Sequence, residues 1–201
     1  VAATYAVADG AGLKSVSQIA AGDPVELWPA AQYLIVCHED FLAAAQALAA
    51  YRQTTGFSTR VVTTQQIYDR YSFGLLDPEA IRSFVYGDAY PAWVSGGKHT
   101  LQYLLLMGDG SFDFENRLNH GLANYVPPYL VEDLDTPDWD GQAGSEHRFA
   151  NGDRTLPSVF VGRLPVRTAE EASAAVSKII AYEAMDGASW AEQALFAADD
   201  P

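Results

Sequence analysis

Two runs of five residues, Tyr33-Leu34-Ile35-Val36-Cys37 and Tyr103-Leu104-Leu105-Leu106-Met107, constrain this chain more than anything else in it. Neither run has a charged or strongly polar position, so neither face of the strand it would form can be left to water. Such strands belong in the middle of a parallel sheet covered on both sides. Helical spacing follows the first run: Phe41, Leu42, Ala45, Leu48 and Ala49 share one side, and Gly56 can end the helix in a left-handed turn. Residues 58–63 are a β-branched run. Asp77-Pro78-Glu79 is a helix start with a physical cause, since the Asp carboxylate accepts an orphan N–H, proline presets φ and glutamate meets the positive end of the dipole. Ile81, Phe84 and Val85 form the apolar side of that helix.

An irregular stretch is expected over roughly 111–155, then a strand at 158–161, a helix opened by Thr168 and running to about Met185, and a last strand at 194–198. Thr168-Ala-Glu-Glu171 fits a capping box. The order β-α-β-α-β-loop-β-α-β predicts an α/β fold of three layers, α/β/α, around a mainly parallel sheet. Residues 1–32, with strand-like pieces at 5–7 and 25–27, read as an extended lead-in, and 33–201 as the folded unit. In such sheets working residues sit outside the carboxyl ends of the strands, which directs attention to His38, Asp109 and Arg163.

With 49% hydrophobic and 19% charged residues, the chain can bury a sizeable core. Twelve Lys and Arg against 26 Asp and Glu leave a net charge of −14, which argues against general binding to nucleic acid or anionic membrane. The one cysteine, Cys37, excludes an intrachain disulfide and any zinc site built from several thiolates. The longest apolar runs fall far short of the roughly twenty residues that span a bilayer. The chain opens Val-Ala-Ala-Thr without a basic segment, so a signal peptide is expected to be absent or already removed. Its end straight after the run 194–198 suggests a fragment or processed product.

Cys37 and His38 invite a nucleophile–base reading. Adjacent strand residues point to opposite faces, however, so Cys37 is expected to pack in the core and His38 to serve as a loop or capping residue. His99, His120 and His147 have no i, i+4 partner and no HExxH pattern. Gly108-Asp109-Gly110-Ser111 matches neither phosphate-loop pattern, and a flavodoxin-like nucleotide binder has the right topology without the loop it needs. Asp109 is expected to line a cleft or to order its loop. Glu132, Asp133, Asp135, Asp138 and Asp140 crowd carboxylates into one loop of the kind calcium prefers, although Pro137 breaks EF-hand spacing.

Taken in order, several segments resemble the gingipain-type cysteine peptidases. They are Tyr33-Leu-Ile-Val-Cys-His38 with Asp40-Phe41, Gly56-Phe-Ser-Thr-Arg-Val-Val-Thr-Thr64 with Ile67-Tyr68, Asp77-Pro-Glu-Ala-Ile-Arg82, Tyr103-Leu-Leu-Leu-Met-Gly-Asp109, Val126-Pro-Pro-Tyr129, Gly162-Arg-Leu-Pro-Val166 and Lys178-Ile-Ile-Ala-Tyr-Glu183. The resemblance covers roughly residues 30–200. It implies a caspase-like α/β/α fold of two sheet-containing subdomains side by side, with the active site at the second. This chain would be the first, incomplete at its C-terminus, and the family's catalytic His, in a Gly-His-Gly motif, and catalytic Cys would follow Pro201. No catalytic residue is then expected here. Cys37 stands where relatives carry Ile-Ile-Thr-His. Ser158 stands where they carry the acid that orients the histidine, and a hydroxyl cannot supply the charge that steadies an imidazolium.

The implied role is scaffold and part of a substrate cleft, through Asp109, Arg163 and the acidic loop, in a secreted or surface endopeptidase. Its partners would be the missing C-terminal subdomain and a peptide or protein substrate. No cofactor is required, and calcium at Asp133, Asp135, Asp138 and Asp140 is the one metal the residues suggest. The alternative is a non-catalytic binding or structural module that keeps the fold.

Overall fold

A computed structural model of the chain describes residues 22–95, 101–114, 117–132, 142–151 and 158–185. Strand β1 (Tyr33–Cys37) leads through a 3-10 turn at Glu39–Phe41 into α1 (Leu42–Thr54), which ends at Gly56 with φ +95°. Strand β2 (Thr59–Thr63) runs straight into α2 (Thr64–Tyr71). Helix α3 (Pro78–Arg82) begins at the expected Asp77 cap and continues through a π-helical segment, Ser83–Ala89, into α4 (Tyr90–Ser95). Pro91 has no N–H to offer the carbonyl of Gly87 and its ring would crowd that oxygen; the chain widens to π geometry just upstream. Strand β3 (Tyr103–Met107) follows, then a hairpin of β4 (Leu130–Glu132) and β5 (Gln142–Gly144), a 3-10 turn at Glu146–Phe149, β6 (Phe160–Leu164) and α5 (Ala169–Glu183).

The main sheet has the order β2-β1-β3-β6 with every pair parallel. Its faces are packed as the apolar runs demand. Leu34, Val36, Leu104 and Leu106 meet Ile67, Ile81, Phe84 and Trp93 from α2 to α4. Ile35, Cys37, Leu105 and Met107 meet Ala45, Leu48, Ala172 and Val176 from α1 and α5. Most of these side chains are almost wholly buried, and each large one contributes about 1.5–3 kcal/mol relative to exposure. The architecture is therefore three-layer α/β/α around a parallel sheet, as the order of elements predicts.

Several details differ from the sequence reading. The strand expected at 158–161 sits two residues later, because pairing with β3 places Phe160 opposite Tyr103 and Arg163 opposite Leu106. Helix α2 is an addition, held by a reciprocal capping box in which Thr63 Oγ1 accepts the Gln66 N–H at 3.3 Å and Gln66 Oε1 accepts the Thr63 N–H at 3.1 Å. The stretch 111–155 is not wholly irregular, since it contains the β4–β5 hairpin. At Thr168 half of the capping box forms: Thr168 caps Glu171 at 3.1 Å, while Glu171 reaches one residue further back, to the Arg167 N–H at 2.7 Å.

Residues 25–27 form no ladder; Val25 donates one bond to Gln66 O and is buried. The segment is strapped down by Arg60, whose guanidinium donates to the carbonyls of Glu26, Leu27 and Pro29 and lies 5.8 Å from the centre of the Trp93 ring. The strand-like pieces expected at 5–7 and 194–198 lie outside the described residues. Among the described residues no helix is long and apolar enough to cross a membrane.

Candidate functional site

All four parallel strands end on one rim, and the chain reverses direction across the sheet between β1 and β3. That switch is where open α/β sheets hold ligands. His38 leaves β1 at this point. Its N–H donates to Met107 O at 3.3 Å, and its Nδ1 faces both the Asp40 N–H at 3.2 Å and the Asp40 carboxylate at 3.3 Å. The ring meets Tyr125 edge-on at 5.1 Å. Cys37 faces the other way, fully buried among Ile35 and Met107, and burial pushes its thiol up to about 12. The neighbours therefore make no thiolate–imidazole pair, and His38 is a capping residue of the turn that starts α1.

Gly108-Asp109-Gly110 owes its glycines to packing. Gly108 has φ +145°, and a Cβ there would lie 2.8 Å from the Cβ of Tyr125; one on Gly110 would lie 2.5 Å from Val126 O. The motif admits segment 125–128 against the rim and does not cradle a phosphate. Asp109 fixes that contact by accepting the N–H groups of Tyr125 and Val126 at 3.0 and 3.2 Å and donating its own to Val166 O at 2.9 Å. Its carboxylate accepts Arg167 Nε at 2.6 Å, and this bond, followed by the attraction of the charges, holds the guanidinium above its ordinary range.

Arg163 is the most committed cation of the rim. Its Nε and Nη2 grip Glu146 at 2.7 and 3.0 Å, while Nη1 donates to Gly108 O at 2.7 Å and Val126 O at 2.6 Å. The guanidinium thus ties together the end of β3, the crossing segment and the 3-10 turn at Glu146. Ser158 lies at the opposite end of β6, its N–H bonded to Ala150 O at 3.1 Å. Six residues of extended chain put it about 20 Å from the rim. Asp133, Asp135, Asp138 and Asp140 lie outside the described residues. Among the described residues no three His, Cys, Asp or Glu side chains gather as a metal centre would require.

Partners that local sequence could not reveal complete the rim. Glu146 and Arg167 come from 17 and 58 residues away from the groups they bind. Two cavities are lined by residues of the loops that follow the strands. One of about 180 Å³ is lined by His38, Glu39, Thr64, Tyr68, Asn124 and Tyr125. The other, about 400 Å³, is walled by Pro78, Glu79, Phe112, Phe114, Tyr129 and Leu130, and there a 2.8 Å bond to Glu79 pushes the pKa of the Tyr129 phenol up, so that it holds its proton more firmly.

The described residues form a three-layer fold around a parallel sheet that gathers loops and fixed charges on its carboxyl rim. Comparison supplies the family. The model of peptidase family C25 matches residues 26–201, and the chain belongs to that family, in line with the gingipain-type resemblance of its sequence. No curated protein sequence matches. Among solved structures, dimeric latent PorU from Porphyromonas gingivalis is similar at 24% identity and a TM-score of 0.61, over 78% of this chain and 16% of that one. A second, described as a protease, is similar at 15% identity and a TM-score of 0.56, over 75% and 28% respectively. At these identities the likeness is one of fold. The chain spans well under a third of either structure.

Proposed function

We propose that this chain is the N-terminal subdomain of the catalytic region of a gingipain-like cysteine endopeptidase, secreted or held at a cell surface. It supplies scaffold and one wall of the substrate cleft, and the histidine–cysteine pair comes from a following subdomain. The family match over 26–201 carries the reading. The rim supports it, because Arg163 and Asp109 fix loop positions at the strand ends, where a neighbouring subdomain could meet a rigid surface. In the complete enzyme a histidine would take the proton of a thiol for acyl transfer, with backbone N–H groups holding the oxyanion.

The test compares the 201 residues with the same chain joined to the remainder of its protein. The joined protein should hydrolyse peptides, lose activity to iodoacetamide and keep it in Cys37→Ala, whereas the 201 residues alone should be inactive. Thiol-dependent hydrolysis by the isolated chain carrying Cys37→Ala would overturn the division of labour. A joined protein inert toward peptides would favour the non-catalytic module. Because Ser158 sits at the end of β6 away from the rim, Ser158→Asp in the joined protein should leave turnover unchanged, and a rise would show that this serine replaces the orienting acid.

A further inference from the structure

The outer side of β6 is a strand edge that the peptidase reading does not use. Phe160 turns its N–H inward to Gln102 O, so by alternation the N–H and C=O groups of Val161 and Arg163 point outward, where they have no partner among the described residues. Nothing in the strand guards these groups. It contains no proline, and its one charged side chain, Arg163, is turned back to Glu146, Gly108 O and Val126 O. Phe160, Gly162 and Leu164 share the face that carries α1 and α5. Phe160 stacks on Tyr103 at 5.6 Å as the last ring of a row that starts at Tyr33, and at the open end of that row it is 70% exposed. Between Leu164 and α5 lies a groove of about 350 Å³, walled by Ala175, Ile179 and Tyr182 and large enough for an aromatic ring.

We infer that this edge pairs with the β6 edge of a second copy of the chain, antiparallel and about a twofold axis at Gly162. The register follows from which groups face outward. In an antiparallel ladder those residues form the hydrogen-bonded pairs, and one register alone pairs both of them within the strand: Val161 of each copy faces Arg163 of the other. Gly162 then meets Gly162 on the axis. Phe160 stands opposite Leu164 in a pair without hydrogen bonds, where side chains come closest, so each Phe160 ring reaches the mouth of the other copy's groove. The contact is self-complementary, as a twofold interface must be: ring meets groove twice, and neither Arg163 faces a like charge. Two chains of net charge −14 repel each other, so pairing should tighten as salt rises, opposite to a contact held by ion pairs. With five residues in each strand the contact is small, which places its dissociation constant at about 10–100 µM.

The experiment is sedimentation velocity on the 201-residue chain, joined to a cysteine cross-linking series. The wild type should pass from monomer to dimer over that range of concentration, and Phe160→Asp, at an exposed position, should weaken the dimer at least about tenfold. In a Cys37→Ala background, Gly162→Cys should oxidise to a covalent dimer, because paired residues on the axis lie within disulfide reach. A Cβ at Gly162 has room, with Leu105 Cδ1 the atom it meets, at 4.0 Å. Val161→Cys should cross-link at less than about a tenth of that rate, since its counterpart is displaced along the strand. A wild type still monomeric at about 1 mM overturns the inference. So does a dimer indifferent to Phe160→Asp, or one that cross-links as readily through Val161→Cys. The last arm is the chain joined to the remainder of its protein. If that protein stays monomeric while protecting the Val161 and Arg163 amides, its own following subdomain takes the edge and the second copy does not. None of these outcomes bears on the peptidase reading, which hydrolysis tests.

Discussion

At the scale of the residue, Arg163 and Cys37 make opposite demands on their surroundings. Arg163 is a partly buried charge gripped on three sides, so removing it strands a carboxylate and two carbonyls together. Arg163→Met should lower stability by about 3 kcal/mol in guanidinium denaturation, and Glu146→Gln, which keeps the hydrogen-bond geometry, clearly less. Asp109→Asn removes an ion pair whose cation is mostly exposed; its smaller effect should fade in salt. Cys37 is stabilised as the neutral thiol. Its ionisation moves from 9.0 to about 12, so the folded chain keeps a proton that the unfolded chain releases between those values. Its contribution is therefore complete below pH 9 and is lost as pH rises toward 12. Because buried tyrosines share that range, wild type should lose more stability than Cys37→Ala over it, and Cys37 should resist disulfide reagents at pH 8 until the protein unfolds. The burial of Cys37 was legible from its place in an apolar run, whereas the grip of Arg163 on Glu146 was not, since nothing local marks a partner across a loop.

At the scale of the element, legibility followed the strength of the local signal. Strands β1 and β3 have the predicted bounds, because runs apolar on both faces can only be buried. The Asp77-Pro78-Glu79 and Thr168 caps start helices where caps and fixed φ require. Helix α2 was readable in principle, since Thr63 and Gln66 have capping-box spacing; it is short and directly follows a β-branched strand, and the strand signal hides it. The register of β6 was not readable, because Gly162 and Arg163 have little strand preference and only the ladder with β3 makes them extended. Helix α2 offers the sharper test. Thr63→Ala should cost about 1 kcal/mol, read by urea denaturation, and Thr63→Ser should recover most of it.

At the scale of the molecule the two sides of the sheet are unlike. The β2 side is tied to residues 26–29 by Arg60, whereas β6 has a neighbour only at β3 among the described residues. Phe160 bonds inward through its N–H to Gln102 O, so by alternation Val161 and Arg163 turn their amides outward. In the dilute 201-residue chain, below the concentration at which copies pair, those two amides should exchange with solvent at least about a hundredfold faster than that of Val36, and equal protection would show the edge to be covered. The position of α5 bears on what comes after it. Parallel crossovers turn right-handed, and β1–α1–β2 passes over one face of the sheet while moving from β1 toward β2. Helix α5 lies over that same face, against α1. The same hand would carry the chain from α5 back over β3, never outward past β6. A parallel strand added at the open edge directly after α5 would need a left-handed crossover, which parallel sheets very seldom make.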